Sequence, residues 1–286
     1  MYNMENSVVR KNLRRIVRWP EEGSAQSSTG TKTQGADLGD NSRLPKKEEG
    51  TLYFTENADT ARKLAAAGYP VLGILTPENE GDDFSGVSYL AEKEALKDET
   101  YLEQIYCRMT GRPYTVLETA RCILRESTEE DVDAFYQIYR EPGMTRYMEA
   151  LFPEREKEVV YIRDYRKYVY GFYGFGIWTV LYKETGEIIG RIGIEINTCS
   201  DVPQLGYVLA KDFQGKGIAK EVVKEVLRYG FEELDFKRIE ARTHGDNEAS
   251  LRLLQKLGFV YRKTVDGLLV YETGRKESAN QTPNHG

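Results

Sequence analysis

The chain has 286 residues, with 40% hydrophobic and 30% charged residues and a net charge of −6. That is room for one large or two modest globular domains, with no apolar run near the ~18 residues of a membrane span, and the acidic balance argues against a nucleic-acid-binding domain. The N-terminus lacks the apolar core of a signal peptide. Cys107, Cys122 and Cys199 are odd in number and far apart, which predicts a reducing, cytoplasmic setting with neither a disulfide framework nor a zinc site.

Taken in chain order, residues 1–20 mix Arg10, Lys11, Arg14, Arg15 and Arg18 with Val8, Val9, Leu13, Ile16, Val17 and Trp19. This basic arm reads either as an amphipathic helix for a membrane surface or partner, or as a docked helix or irregular segment. Residues 21–50, rich in Gly, Ser, Thr and charge, read as a flexible linker. Residues 51–118 read as a small accessory α/β domain. Its strands are Leu52–Thr55, Val71–Leu75 and Gly86–Leu90, and its helices are Asp59–Ala67, stopped by Gly68, and Asp98–Met109. The stretch Leu52 to Leu75 resembles a degenerate fragment of haloacid-dehalogenase-like domains, in which the loop after the first strand carries acidic magnesium ligands. Here that loop reads Thr55-Glu56-Asn57 and no nucleophilic Asp-x-Asp is present, so phosphatase activity is not expected.

From 119 to 273 a second domain is expected. Arg121–Glu126 reads as a strand and Thr128–Arg140 as a helix, with Thr128 and Asp131 forming a capping box. A helical stretch follows over 154–170. Gly176–Tyr182 and Glu187–Ile196 flank a Lys-Glu-Thr-Gly turn, which is a hairpin signature. A turn over Asn197–Pro203 leads into the strand Gln204–Ala210. Ile218, Val222, Val226 and Gly230, with Ala219, Val223, Leu227, Phe231 and Leu234, form the apolar face of a long helix. Arg238–Arg242 is a strand, Asn247–Leu257 a helix, and Gly258 opens a final hairpin turning near Asp266-Gly267. Residues 274–286 read as a disordered tail.

Between the Gln204–Ala210 strand and the long helix stands Gln214-Gly215-Lys216-Gly217-Ile218-Ala219. A glycine-rich turn feeding a helix N-terminus offers outward backbone N–H groups and a favourable dipole to a phosphate-bearing ligand. A P-loop would need a hydroxyl where Ile218 stands. The dinucleotide fingerprint fails at Lys220, where a third glycine belongs, and requires a parallel unit rather than the antiparallel meander upstream. Gln214, Gly217 and Ala219 do match Gln/Arg-x-x-Gly-x-Gly/Ala. With Arg-Ile-Glu-Ala-Arg, Asn-Glu-Ala-Ser and Leu-Gly-Phe downstream, residues 120–273 resemble the GNAT superfamily of acyl-CoA-dependent N-acetyltransferases. The resemblance is greatest to the branch acetylating the N-termini of ribosomal proteins.

That resemblance implies an α+β fold with a mixed, mostly antiparallel sheet flanked by helices. It implies acetyl-CoA as cosubstrate, no metal, and acetyl transfer to a primary amine, of a protein N-terminus or a small molecule, by direct attack on the thioester. Gly215 to Lys220 would grip the pyrophosphate with their amides. Free amides near Val208, Leu209 and Ala210 would pair with the pantetheine and polarise the thioester carbonyl. Gln204 stands where relatives often carry a Glu and cannot act as a base. Glu195 on the neighbouring strand is therefore either the replacement base or a solvated strand glutamate. His244 is either a proton relay or a surface loop histidine, and water is the remaining acceptor for the amine proton. Leu254 stands where many relatives carry a tyrosine. Ser250 stands at the site that the N-terminal-acetylating branch uses near the sulfur, so the resemblance implies that role for it or else a first-turn structural one. Asn247 either binds the ligand, caps the helix, or does both. Tyr147, Met148, Phe152, Phe172, Tyr173, Phe175 and Trp178 are expected either as an acceptor wall or as core. The alternatives are a non-catalytic acyl-CoA-binding or sensing module, motivated by Gln204, Leu254 and the degenerate front domain, and a nucleotide-binding enzyme misread through Gly215-Lys216-Gly217.

Overall fold

The structure, a computed structural model, describes residues 12–19, 44–196 and 202–275. Most of the expected linker, the 197–201 turn with Cys199, the first part of the basic arm and the tail after Arg275 lie outside the described residues. The chain divides into two compact units, Met1–Tyr114 and Thr115–Gly286.

The first unit is a four-stranded, all-parallel sheet of β1 (Arg15–Arg18), β2 (Thr51–Thr55), β3 (Val71–Leu75) and β4 (Tyr89–Glu92), in that order. α1 (Ala58–Ala66) connects β2 to β3, and α2 (Glu99–Met109) follows β4. Leu102, Ile105 and Tyr106 of α2 pack on Leu52, Leu72 and Ile74. Leu64 of α1 packs with Val17, Tyr53 and Val71. Covered faces explain why the central strands β2 and β3 read as continuous apolar runs rather than alternating ones.

Two sequence expectations change here. The described part of the basic arm is a strand, not a helix: Arg15–Arg18 pairs in parallel with Thr51–Phe54. β-branched Ile16 and Val17 favour an extended backbone, and β2 offers a free edge. Glu103 of α2 holds the arm's start by accepting from the amides of Asn12 and Leu13 at 2.7 and 2.8 Å. Residues 44–50 do not behave as linker either. The Pro45 and Lys46 carbonyls accept from the Tyr69 and Tyr53 hydroxyls, at 2.6 and 2.9 Å, and Lys47 donates to Gly68 O. The Thr55-Glu56-Asn57 loop starts a helix: Asn57 Oδ1 accepts from Thr60 N at 2.8 Å, and Glu56 pairs with Arg18 at 3.2 Å. Its polar groups are committed to the fold, and among the described residues no cluster suited to a metal is present.

The second unit contains β5 (Thr115–Glu118), β6 (Cys122–Arg125), α3 (Val132–Arg140) and α4 (Arg155–Asp164), which continues as a π-helical segment (Tyr165–Tyr170) into α5 (Gly171–Tyr173). Next come β7 (Ile177–Tyr182), β8 (Ile188–Ile196), β9 (Pro203–Leu209), α6 (Ile218–Glu232), β10 (Arg238–Thr243), α7 (Glu248–Lys256), β11 (Val260–Val265) and β12 (Leu268–Gly274). The eight strands lie in the order β11-β12-β10-β9-β8-β7-β6-β5. Every neighbouring pair is antiparallel except β9–β10. This is the expected α+β architecture. β5 belongs to this sheet, so the unit boundary falls at 114/115 rather than at 118/119, and β12 extends through Gly274.

The long helix forms as its pattern predicts. Ile218, Val222, Val223, Val226 and Leu227 are buried, each contributing roughly 1.5–3 kcal/mol by leaving water. Gly230 lets α6 approach the sheet, since a Cβ there would meet Ile194 and Ile239 at 2.8 and 2.9 Å. The Asp266-Gly267 turn has φ of 50° and 80°, the left-handed pair that a tight two-residue hairpin requires.

The feature that opens a site is the β9–β10 pair. Their parallel register consists of one position, Gln204 opposite Glu240. From Leu205 onward β9 keeps β8 as its partner and separates from β10, leaving a gap in the middle of the sheet.

Candidate active site

A cleft of about 550 Å³ lies along this gap. Its walls come from the end of β9 (Tyr207, Val208, Leu209), the loop (Gln214, Gly215, Gly217, Ala219, Lys220), the first turns of α7 (Asn247, Ser250, Leu253) and residues 143–148. Lys211, Lys220, Arg252 and Lys256 line it with no carboxylate among the lining residues. The cleft is therefore electropositive and suits a polyanionic ligand.

The loop is built for backbone display. Gly215 and Gly217 have φ of 70° and 76°, and Gly217 is the N-cap of α6. A left-handed pair of this kind is cheap only for glycine. Three side chains hold it. Gln214 Nε2 donates to Leu209 O at 2.8 Å, tying the loop to the end of β9. Arg121 Nη1 donates to Lys216 O at 3.0 Å, and Glu221 holds Arg121 by accepting from its Nε at 2.7 Å and its backbone N at 2.9 Å. The first-turn amides of α6 are thereby presented to the cleft with the helix dipole behind them.

The expected residues distribute unevenly. Val208, Leu209, Gln214, Gly215, Gly217, Ala219, Lys220, Asn247 and Ser250 line the cleft; Ala210, Lys216 and Ile218 do not. Ile218 is buried in the core, and Lys216 places its ammonium over the Phe213 ring at 5.5 Å. Free amides at all three of 208–210 are corrected: Ala210 N donates to Ile189 O at 2.8 Å. Strand alternation turns the Val208 amide toward β8 as well and leaves the Leu209 and Tyr207 amides facing the gap.

Asn247 caps α7, its Oδ1 accepting from Ser250 N at 3.2 Å. Ser250 is buried, and its Oγ lies 2.5 Å from the Tyr207 hydroxyl. Tyr207 is a site residue that sequence reasoning passed over, and burial raises its pKa against the opposing effect of the Ser250 hydrogen bond. Its signal was available: one residue before Val208, it must face away from Val208 on the strand.

Glu195 does pair with Gln204 in the β8–β9 register. It is half-buried, and burial raises its pKa, opposed by Arg191 and reinforced by Glu149. Arg191, on the same face, stacks over Phe135 of α3 at 4.7 Å. Glu195 does not line the cleft. Strand alternation puts it on the α3 face, whereas Tyr207 and Ser250 meet on the α7 face. His244 is exposed, stacks on Tyr147 at 5.5 Å and is not part of the cleft wall. Of the expected aromatic wall, Tyr147 and Met148 line the cleft, joined by Met144. Phe175 and Trp178 are core, while Phe152, Phe172 and Tyr173 are exposed.

Residues 121–260 match the sequence profile of a family described as acetyltransferase (GNAT) domain. An uncharacterized N-acetyltransferase of Bacillus subtilis (strain 168), YoaA, is 31% identical over 173 residues, 58% of this chain and 94% of its own length. The chain belongs to the GNAT acetyltransferase family. It is an N-acetyltransferase, for which acetyl-CoA is the expected cosubstrate. Another uncharacterized N-acetyltransferase, p20 of Bacillus licheniformis, is 33% identical over 147 residues, 50% of this chain and 81% of its own. YdaF of B. subtilis, named as a candidate ribosomal N-acetyltransferase, is 32% identical over 87 residues, 30% of this chain and 48% of its own. The matches give no support to the haloacid-dehalogenase resemblance of residues 52–75.

Proposed function

We propose that the second unit transfers the acetyl group of acetyl-CoA to a primary amine of a protein N-terminus or small molecule, by direct attack on the thioester. The observation that carries this reading is the electropositive cleft between the separating strands, closed at one end by outward amides of the loop and α6. The amides from Gly215 to Lys220 bind the pyrophosphate. Lys211, Lys220, Arg252 and Lys256 add charge for the remaining phosphate. The Leu209 amide, held facing the gap, donates to the thioester carbonyl as negative charge develops there, an effect typically worth roughly 3–4 kcal/mol of barrier.

The gap between β9 and β10 joins the two faces of the sheet. Glu195, with its pKa raised by burial, takes the amine proton from the α3 face. Ser250 meets the departing sulfur on the α7 face. Among the described residues, Cys107 and Cys122 are buried and outside the cleft, and burial pushes the Cys122 thiol up to about 11, so Cys122 offers no thiolate for a covalent route. The name of YdaF supports placing ribosomal protein N-termini first among acceptors to be tried.

The test is acetyl-CoA turnover with a panel of peptides bearing free N-termini, polyamines and amino acids, read as thiol release and acetylated product. Amine-dependent release is expected. CoA binding without turnover on any amine would favour the sensing module instead.

A further inference from the structure

We propose that Tyr207 is the proton source behind Ser250, so that the departing thiolate is protonated through a Tyr207–Ser250 relay. This rests on the acetyl-transfer function proposed above. Both side chains line the cleft, and their hydroxyl oxygens are 2.5 Å apart. Ser250 is fixed from below: its amide is capped by Asn247, and it is buried in the first turn of α7. Tyr207 reaches it from β9, two residues before Leu209. One turn beyond Ser250, Leu254 is fully buried and brings no hydroxyl. Among the described residues, the phenol of Tyr207 is thus the acid that the fold sets against Ser250.

The step balances without a further reactant. The amine nitrogen bonds to the acetyl carbon, the C–S bond breaks, and sulfur keeps the electron pair. The Ser250 proton passes to sulfur while the Tyr207 proton passes to Ser250 Oγ. The phenolate then takes a proton from solvent, and the proton lost by the amine leaves through Glu195 or water. A burial-raised pKa keeps Tyr207 protonated at neutral pH, the state a donor needs. On this assignment Tyr207 is a positioning residue that acts through Ser250, and the benefit falls in the transition state rather than in binding.

The test compares Tyr207→Phe, Ser250→Ala, Ser250→Thr and the Tyr207→Phe/Ser250→Ala double variant of the full chain. Acetylation kinetics are measured from pH 6 to 10, with thermal melts as the folding control. Tyr207→Phe should lower kcat about tenfold with KM for acetyl-CoA within about twofold. Ser250→Thr should retain most activity where Ser250→Ala does not, and the double variant should be no slower than the worse single one. Equal kcat in folded Tyr207→Phe and wild type across the pH range would overturn the relay. So would multiplicative losses in the double variant. Should Tyr207→Phe not fold, equal loss in Ser250→Thr and Ser250→Ala overturns it independently. A wild-type chain that binds CoA but never releases thiol defeats the underlying function, a result distinct from every variant comparison.

Discussion

Glu195, the proposed base, would link stability to chemistry in one residue. Its folded pKa is raised chiefly by burial, partly opposed by Arg191. A raised folded pKa means that Glu195's contribution to stability is full below its unfolded pKa. It is lost as pH rises through the folded value. At neutral pH the ionised carboxylate is therefore a burden on the fold. Glu195→Gln should melt higher than wild type at pH 7, with the difference vanishing at acid pH. The same variant should acetylate more slowly at pH 7 and recover partly as the free amine becomes abundant. Parallel melting and pH–rate series check both halves, and unchanged rates would remove Glu195 as the base. Much at this scale was legible in the sequence. Asn247 three residues before Ser250 announces a cap, and Glu195 opposite Gln204 follows from counting back from a hairpin. The Tyr207–Ser250 contact was not, because alternation says which way Tyr207 points but not which helix docks there. Lys211, Arg252 and Lys256 look like any surface cations until the fold gathers them.

Among elements, the glycine loop acts through its tethers. Arg121, at the start of the second unit's chain, reaches the Lys216 carbonyl only because Glu221 of α6 holds it. These partners are about a hundred positions apart in sequence, so no local pattern reveals them. Arg121→Ala should leave the fold intact and weaken CoA binding by about tenfold, ~1.4 kcal/mol, because the loop amides lose their fixed direction. Calorimetry checks this, and unchanged affinity would mean that the glycines alone set the loop. Long, periodic elements such as α6 read clearly from residue spacing. β1 did not: it is four residues long, set among charges, and its partner strand lies beyond the expected linker. Its identity depends on a free edge elsewhere in the chain, and tertiary pairing overrides local appearance there.

For the molecule as a whole, all residues lining the cleft fall after Tyr114. The second unit has its own continuous core, from Leu117 and Leu124 through Ile192 and Val226 to Phe259. A fragment beginning at Thr115 should therefore fold cooperatively and bind CoA with near-native affinity. An insoluble or non-cooperative fragment would show that the first unit completes that core. Among the described residues no helix is long and apolar enough to cross a membrane.

The most direct test of the cleft as the acetyl-CoA site is calorimetric titration of CoA into wild type and Gly217→Glu. Gly217 has positive φ and nearly open space around its Cβ position, Arg121 Nη2 at 3.8 Å being the nearest atom. A glutamate there strains the turn and sets a carboxylate among the amides meant for phosphate. Wild type should bind one CoA per chain, and the folded variant should show no measurable binding. Near-normal CoA affinity in folded Gly217→Glu would contradict the assignment of this loop, and with it the site.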